Sequence, residues 1–348
     1  MTALPKHATI FDVAREAGVS KSTVSNVIRG VKVAPETGLR VRKAIEQLRY
    51  RPNLLARHLV QQRTNTLGVV IGDLGNPFYA EMAKQIVRAA AVRGYRVMFC
   101  NTLGDQEAEV SGLESLLEYR AAGIVFLSQP TDLVRVRRVV EGRVPAVFLT
   151  CAADWGDVVS GDDKAGAELA TEHLIDLGHK RIAYFADPIV EDAADRERQA
   201  GYRRVMKRWS LDATVFHWDR PPDQLQQEAR DRQLDRILGS RITAVFSSND
   251  YGAIELLDCA DRLGVRVPQD LSVVGFDDVV MAGLARINLT TVCQPQPELA
   301  TLAVDTIAAR VEGELEGPPQ RKTVRLELIV RGSSAAPGTS LGKGSSPA

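Results

Sequence analysis

From Leu67 to Phe276 the chain repeats one pattern, a short run rich in Val, Ile and Phe followed by a stretch with helical spacing. The runs are Leu67–Gly72, Arg96–Cys100, Gly123–Leu127, Ala146–Thr150, Arg181–Phe185, Ala244–Ser247 and Ser272–Phe276. They do not alternate apolar with polar, which is how strands buried on both faces read. Strands separated by helices of roughly 12–18 residues are the signature of βαβ units and parallel sheets. One doubly wound sheet rarely takes this many units, so the pattern predicts an α/β body of two parallel-sheet lobes. At roughly 100–200 residues per domain, 348 residues leave room for such a body and one small domain besides.

The small domain is expected ahead of Leu67. Residues 1–64 hold 12 Lys and Arg against 4 Asp and Glu, a net charge of +8, so the neutral chain carries −8 in the rest. A basic head on an acidic body suits a polyanion at the head alone. The head reads as short helices. Thr9 is an N-cap candidate before Ile10–Ala17, with Phe11, Ala14 and Ala17 as the apolar face and Gly18 as the breaker. Ser20 caps a second helix, Lys21 to Ile28, whose apolar face is Val24, Val27 and Ile28. Pro35 starts a third after Ala34, a poor cap, with Leu39, Ala44, Ile45 and Leu48 buried. Asn53 can cap one more short helix, to about Gln61.

Two short helices joined by Ala17-Gly18-Val19, the second polar on one side, make a helix-turn-helix. The second helix would enter the major groove and present Lys21, Ser22, Ser25 and Asn26 to base edges. Lys can donate to guanine, Asn can pair with adenine through two bonds, and Ser serves either. Ser20 and Thr23, with the helix N-terminus, suit phosphate.

Other classes are excluded by what is missing. No apolar run approaches the roughly 18–20 residues of a membrane span. The first residues hold no apolar core of a secretory leader, so a cytoplasmic protein is expected. Cys100, Cys151, Cys259 and Cys293 lie far apart, without CxxC spacing, so neither a zinc site nor a disulfide framework is expected. HExxH, the P-loop and GxGxxG are absent, and no cofactor is expected. His173 and His179 flank a helix end, where a structural role outweighs a catalytic one. Gly332 to Ala348 is mostly Gly, Ser, Ala and Pro with one charge, and reads as a disordered tail. It has no leucine heptads for a tetramer-forming bundle.

The stretch Thr9-Ile-Phe-Asp-Val-Ala-Arg-Glu-Ala-Gly-Val-Ser-Lys-Ser-Thr-Val-Ser-Asn-Val-Ile-Arg-Gly30 resembles the head of lactose-repressor (LacI) family regulators, and Tyr50-Arg-Pro-Asn-Leu-Leu-Ala-Arg-His-Leu59 resembles the family's hinge. The resemblance continues through Asn76-Pro-Phe-Tyr79, Glu172-His-Leu-Ile-Asp-Leu-Gly-His179, Arg198-Gln-Ala-Gly-Tyr202, Ser248-Asn-Asp250, Val274-Gly-Phe-Asp-Asp278 and Leu289-Thr-Thr-Val-Cys-Gln294. It implies a helix-turn-helix domain over 1–52, a hinge helix and linker over 53–64, and a periplasmic-binding-protein-like effector and dimerisation domain over 65–331. Lobe 1 would take about 65–162 and 293–322, lobe 2 about 163–292 and 323–331, with crossings near 162, 292 and 322. It further implies a homodimer on a near-palindromic operator, probed in the head by Thr9 and the helix-turn-helix residues above. Asn53, Ala56, Arg57 and Leu59 would serve the hinge, Leu59 as an apolar wedge in the minor groove. The implied effector residues are Asp73, Phe78, Tyr79, Ser128, Gln129, Thr150, Arg198, Trp218, Asn249, Asp277 and Gln294, most of them at strand ends.

One departure matters for the effector. After Val147-Phe-Leu149 many family members carry Asp, often with Arg, to hold sugar hydroxyls; here Thr150 and Cys151 follow. Charge-assisted hydrogen bonds are about twice as strong as neutral ones. The implied effector is therefore a sugar or sugar derivative, with a nucleoside or aromatic metabolite left open. The family favours a repressor released from DNA by its effector, with co-repression the alternative. A rival reading, an exported sugar-binding protein, has the same body but no use for a basic head.

Overall fold

The computed structural model describes residues 8–28, 31–50, 64–186, 193–217 and 226–338. The chain divides into two compact units, residues 1–64 and 65–348.

The first unit is three helices, α1 (Ile10–Ala17), α2 (Lys21–Ile28) and α3 (Pro35–Gln47). Thr9 and Asp12 form a reciprocal capping box at the start of α1. Gly18 ends it in the left-handed region, at φ 61°, and the Val19 N–H reaches back to the Ala14 carbonyl. Pro35 opens α3 behind an Ala34 that makes no side-chain cap. Val13, Ala14, Ala17, Val24, Val41 and Ala44 form the core. Two expectations are corrected here. Phe11 is exposed, because α1 turns its Ile10, Val13, Ala14 and Ala17 stripe inward. Leu39 is exposed as well, and Val41 takes the buried place on α3.

The second unit holds two sheets. Lobe 1 is built from β1 (Thr66–Ile71), α4 (Pro77–Val92), β2 (Arg96–Asn101), α5 (Gln106–Glu118), β3 (Gly123–Phe126), α6 (Leu133–Val140), β4 (Ala146–Leu149) and β5 (Asp157–Gly161). Lobe 2 follows with α7 (Asp163–Asp176), β6 (Ile182–Ala186), α8 (Ala193–Arg208), β7 (Thr214–His217), α9 (Gln226–Gly239), β8 (Ala244–Ser247), α10 (Asp250–Arg262), β9 (Ser272–Asp277) and β10 (Thr290–Cys293). The chain returns to lobe 1 for α11 (Gln296–Glu312) and β11 (Arg321–Val324), and to lobe 2 for β12 (Glu327–Ile329). Strand order is β11-β5-β4-β3-β1-β2 in one sheet and β12-β10-β9-β8-β6-β7 in the other. Every pairing is parallel except β10 with β12. The order reverses between β1 and β3 and between β6 and β8, so each lobe opens a crevice at the carboxyl ends of those strands.

All seven expected strands form, with ends shifted by a residue or two. The other five are short or lie toward sheet edges, where no long apolar run is required. One hydrophobic cluster includes residues of both lobes, from Leu67 and Val304 to Leu256 and Val273.

The expectation of disorder from Gly332 is corrected for residues 332–338. Ser333 is buried; its backbone carbonyl accepts from the Val273 N–H, and its hydroxyl donates to the Val273 carbonyl at 2.6 Å. The same hydroxyl accepts from the Thr290 N–H at 2.8 Å. Ala335 exchanges hydrogen bonds with Ser272 and takes one from the buried His179. Small polar residues satisfy backbone groups that sheet 2 would leave unpaired at this end. His173 meets Ser334 at 2.9 Å, so both histidines hold the C-terminal segment to lobe 2.

Candidate functional site

In the head, the Ser20 hydroxyl accepts from the Thr23 N–H at 3.1 Å and caps α2. It also meets the hydroxyls of Ser22 at 2.7 Å and Thr23 at 2.8 Å. Lys21 and Ser22 are exposed, Ser25 and Asn26 half-exposed, and Val24 is buried beneath them. The Lys21 ammonium lies 5.1 Å from the centre of the exposed Phe11 ring. Phe11 thus steadies a mobile cation on the polar face. Thr9 spends its hydroxyl on Asp12, as a cap. Asn53, Ala56, Arg57 and Leu59 lie outside the described residues, as does Trp218.

In the body, the crevice of lobe 2 gathers charge. Gly201 on α8 is the packing device: a Cβ there would collide with the Lys164 carbonyl and with Ala167 of α7. This close approach lets Arg198, one turn before Gly201, reach Asp163 at the start of α7. Arg198 donates to Asp163 Oδ1 at 2.7 Å and to the Ser248 carbonyl at 2.6 Å. It lies 3.8 Å from Asp277 Oδ1, and its guanidinium covers the Phe276 ring at 3.8 Å. Burial opposes its charge, but Asp163 and Asp277 outweigh burial and hold it charged above the ordinary arginine range.

Asp277 ends β9 at φ 127°, a strained conformation for a residue with a Cβ. Its carboxylate accepts from Gln294 Nε2 at 2.8 Å, and its carbonyl from the Gln294 N–H. Burial pushes its carboxyl up to about 7, against the pull of Arg198 and Gln294. Gln294 follows β10 at the second passage between lobes, and Asp163 follows β5 at the first, so Arg198 and Asp277 link the two passages. Asn249 caps α10 by accepting from the Gly252 N–H at 2.7 Å. Gln294 Oε1 and Ser247 Oγ, at the ends of their strands, are buried without a hydrogen-bond partner. Unpaired buried acceptors and donors at a crevice are suited to a hydroxyl-bearing ligand.

Lobe 1 contributes a less charged wall. Gly72 and Ser128 adjoin at the ends of β1 and β3, where a Cβ on Gly72 would sit 3.1 Å from that of Ser128. Asp73 is exposed and accepts from the Gly75 N–H at 2.8 Å within its own turn. Gln129 exchanges two 3.0 Å hydrogen bonds with the Ala152 backbone and fixes the loop after β4. That loop holds Thr150 at φ 60°, buried, and lets Cys151 Sγ donate to the Phe126 carbonyl. Phe78 is buried, edge-on to a half-buried Tyr79.

Sequence reasoning missed Asp163, Asp250 and Thr291. Asp250 is the last residue of the Ser248-Asn-Asp250 motif, and Asp163 follows directly on the first crossing, so both had a signal in position. No group of His, Cys, Asp and Glu among the described residues could hold a metal ion. No described helix is long and apolar enough to cross a membrane.

Comparison with known proteins agrees with this architecture. Residues 9–53 match the family of bacterial regulatory proteins called lacI, and residues 171–334 match the periplasmic binding protein-like domain. The ribose operon repressor of Escherichia coli (strain K12) is 36% identical over 318 residues, covering 87% of this chain and 93% of that protein. The HTH-type transcriptional repressor PurR of Vibrio vulnificus (strain CMCP6) is 34% identical over 93% of this chain and 98% of its own. Among solved structures, the Lac repressor dimer bound to operator and the anti-inducer ONPF superposes with a TM-score of 0.80 at 26% identity, over 95% of this chain and 100% of that one. Helix-turn-helix head, two-lobed body and relatives of this closeness together make the chain a member of the LacI family, a DNA-binding transcriptional regulator and not an enzyme.

Proposed function

We propose that this regulator is a repressor whose hold on its operator is set by a small polyhydroxylated effector, an aldose in the first instance, bound between the two lobes. The observation that carries the reading is the buried Arg198–Asp163–Asp277–Gln294 network, which stands on both passages between lobes and leaves Gln294 Oε1 unpaired. An effector hydroxyl there satisfies that oxygen and bears on the hinge at the same time. Thr150 and Ser128 supply neutral hydroxyls from lobe 1, and Asn249 an amide from lobe 2. The ribose operon repressor, at 36% identity, makes D-ribose the first probe.

On DNA, Lys21, Ser22, Ser25 and Asn26 read base edges, while Ser20 and Thr23 meet phosphate. Asn53, Ala56, Arg57 and Leu59 form the hinge, with Leu59 as the minor-groove wedge. A homodimer on a near-palindromic operator follows from the two-fold logic of such heads. Exposed Leu74, Phe99 and Leu103, on and around the outer strand β2, offer apolar surface for pairing. Such a protein works in the cytoplasm, on the nucleoid, and needs no cofactor. Effector binding releases the operator if the effector favours the lobe arrangement whose dimer holds the operator more weakly.

The test is a thermal-shift panel of aldoses, sugar phosphates, nucleosides and small aromatic acids, followed by operator-binding assays with each hit. A ligand at about 100 times its Kd stabilises the fold by about 2.7 kcal/mol. Stabilisation by an aldose that Arg198→Met abolishes is the expected result. A response confined to nucleosides or aromatic acids replaces the sugar reading and makes Thr150 and Cys151 the specificity change. A hit that tightens operator binding makes the effector a co-repressor.

A further inference from the structure

Three passages of chain join the lobes, from β5 to α7, from β10 to α11 and from β11 to β12. Away from these passages a carboxylate bridges the lobes as well. The Val280 N–H of lobe 2 donates to both oxygens of Glu81, a half-buried residue on α4 of lobe 1, at 2.9 and 3.2 Å. Val280 opens a single turn of 3-10 helix, Val280–Gly283, and Val279 before it makes no side-chain cap. Lobe 1 thus supplies the acceptor that this turn of lobe 2 lacks. Both ends of the bond are firmly held. Next to Glu81, α4 buries Met82, Ala83 and Ile86. On the lobe 2 side Val279 and Ala282 are buried, and the Leu289 N–H donates to the Ala282 carbonyl. The Val279 N–H donates to Asp250 Oδ2 at 2.9 Å, and the Thr291 hydroxyl holds Asp250 Oδ1 at 2.5 Å. Two successive N–H groups are therefore anchored to different lobes, Val279 to its own and Val280 to the other. Directly ahead of them stands the strained pair Asp277 and Asp278, at φ 127° and 56°.

We propose that Glu81 is a positioning residue for the effector response: it clasps lobe 1 to the Val280 turn of lobe 2 and so favours the closed crevice in which the effector is held. The proposal rests on the effector reading given above. An effector that meets Ser128 and Thr150 on one side and Asn249 and Asp277 on the other needs the lobes close together. The same closeness forms the bond between Glu81 and Val280. Apparent affinity scales with the fraction of molecules in the binding-competent arrangement. Removing the clasp lowers that fraction and weakens effector binding, although Glu81 is no member of the Arg198–Asp163–Asp277–Gln294 network. Without effector, the clasp limits how freely the lobes move about the three passages.

Glu81→Ala and Val280→Pro remove the acceptor and the donor separately. Proline suits the first position of a helical turn, and Val279, at φ −63° and ψ 153°, already has the extended backbone that precedes one. The Val280 side chain is exposed, so its loss opens no cavity. Glu81→Gln keeps an oxygen that accepts. The experiment is calorimetric titration of the full chain with D-ribose. Glu81→Ala and Val280→Pro are each expected to raise Kd by roughly threefold to tenfold, and the double variant no further. Glu81→Gln is expected to stay within about twofold of the wild type, as a retained acceptor requires. An unchanged Kd in Glu81→Ala, or additive losses in the double variant, overturns the proposal. The second arm is hydrogen exchange of the ligand-free full chain, read by mass spectrometry. In Glu81→Ala, exchange is expected to quicken over Val279–Leu284 and also at Asp162, Gln294 and Gln296, whose N–H groups bond within the passages. Faster exchange over Val279–Leu284 alone means a local cap, and unchanged exchange means no clasp; either overturns the proposal. If D-ribose gives no heat with the wild type, it is the aldose reading that has failed, and the exchange arm decides the clasp.

Discussion

Arg198 stands at the centre of the charged network in lobe 2. It is enclosed by Asp163, the Ser248 carbonyl, Asp277 and the Phe276 ring, so its removal strands buried acceptors instead of merely opening space. Arg198→Ala should cost about 3–5 kcal/mol at neutral pH, measured by urea unfolding. A loss under 1 kcal/mol would mean that water replaces the guanidinium at little cost. Thr150 works in the opposite direction. A β-branched residue at φ 60° is strained by roughly 1–2 kcal/mol, and glycine gives part of that back as chain entropy. Thr150→Gly should leave the ligand-free protein as stable or slightly more stable, while weakening the effector response. Clear destabilisation would make Thr150 a packing residue and no more. At this scale the sequence was partly legible. Arg198, Asp277 and Gln294 were named from motif positions, and the structure brings the three together. Asp250 and Thr291 were missed because their importance is a hydrogen bond between residues 41 positions apart.

Among the elements, α7 and α8 owe their closeness to Gly201, and the Arg198–Asp163 bond depends on it. Gly201→Ala must move α8 off α7. The expected result is a loss of about 1–3 kcal/mol together with a weaker effector response, the usual range for overpacking. Thr9 tests the head in the same spirit. Two of the three side-chain hydrogen bonds between Thr9 and Asp12 make the capping box, so Thr9→Ala should lower the stability of the head by about 1 kcal/mol and Thr9→Ser should restore it. If Thr9→Ser binds operator as poorly as Thr9→Ala while melting like the wild type, the Thr9 methyl group meets DNA directly. The helix boundaries were legible from caps and breakers, yet the inward face of α1 was not. Both Phe11 and Val13 fit a helical period, and packing against Val24 and Val41 chose Val13.

For the whole molecule, the basic head and acidic body set the solution behaviour. A net charge of +8 within residues 1–64 means several released counterions per protomer, so operator affinity should fall steeply and linearly on a log–log plot against salt. Removing residues 1–64 should abolish operator binding and leave effector stabilisation intact, since residues 65–348 form a compact unit of their own. The C-terminal segment predicts a sharper contrast. Truncation after Arg331 removes the Ser333 and Ala335 hydrogen bonds and should lower Tm by about 10 °C, at roughly 1 kcal/mol per bond lost. Truncation after Gly338 should leave Tm unchanged. Equal melting of the two truncated proteins would show that the segment adds nothing to lobe 2.

Local chemistry already specified the parallel strands, the helical head, its caps and its charge, because each depends on residue type at short spacing. Short apolar runs rich in Val, Ile and Phe between helical stretches suit sheet interiors, and a Thr before an amphipathic run suits a cap. Three things waited for the tertiary structure: which face of α1 turns inward, that Gly332–Gly338 is part of lobe 2, and that one arginine serves two crossings. Each is a contact between residues distant in the chain. A composition of Gly, Ser and Pro signals no core of its own, but it does not prevent a serine from filling the hydrogen bonds that a neighbouring sheet leaves open.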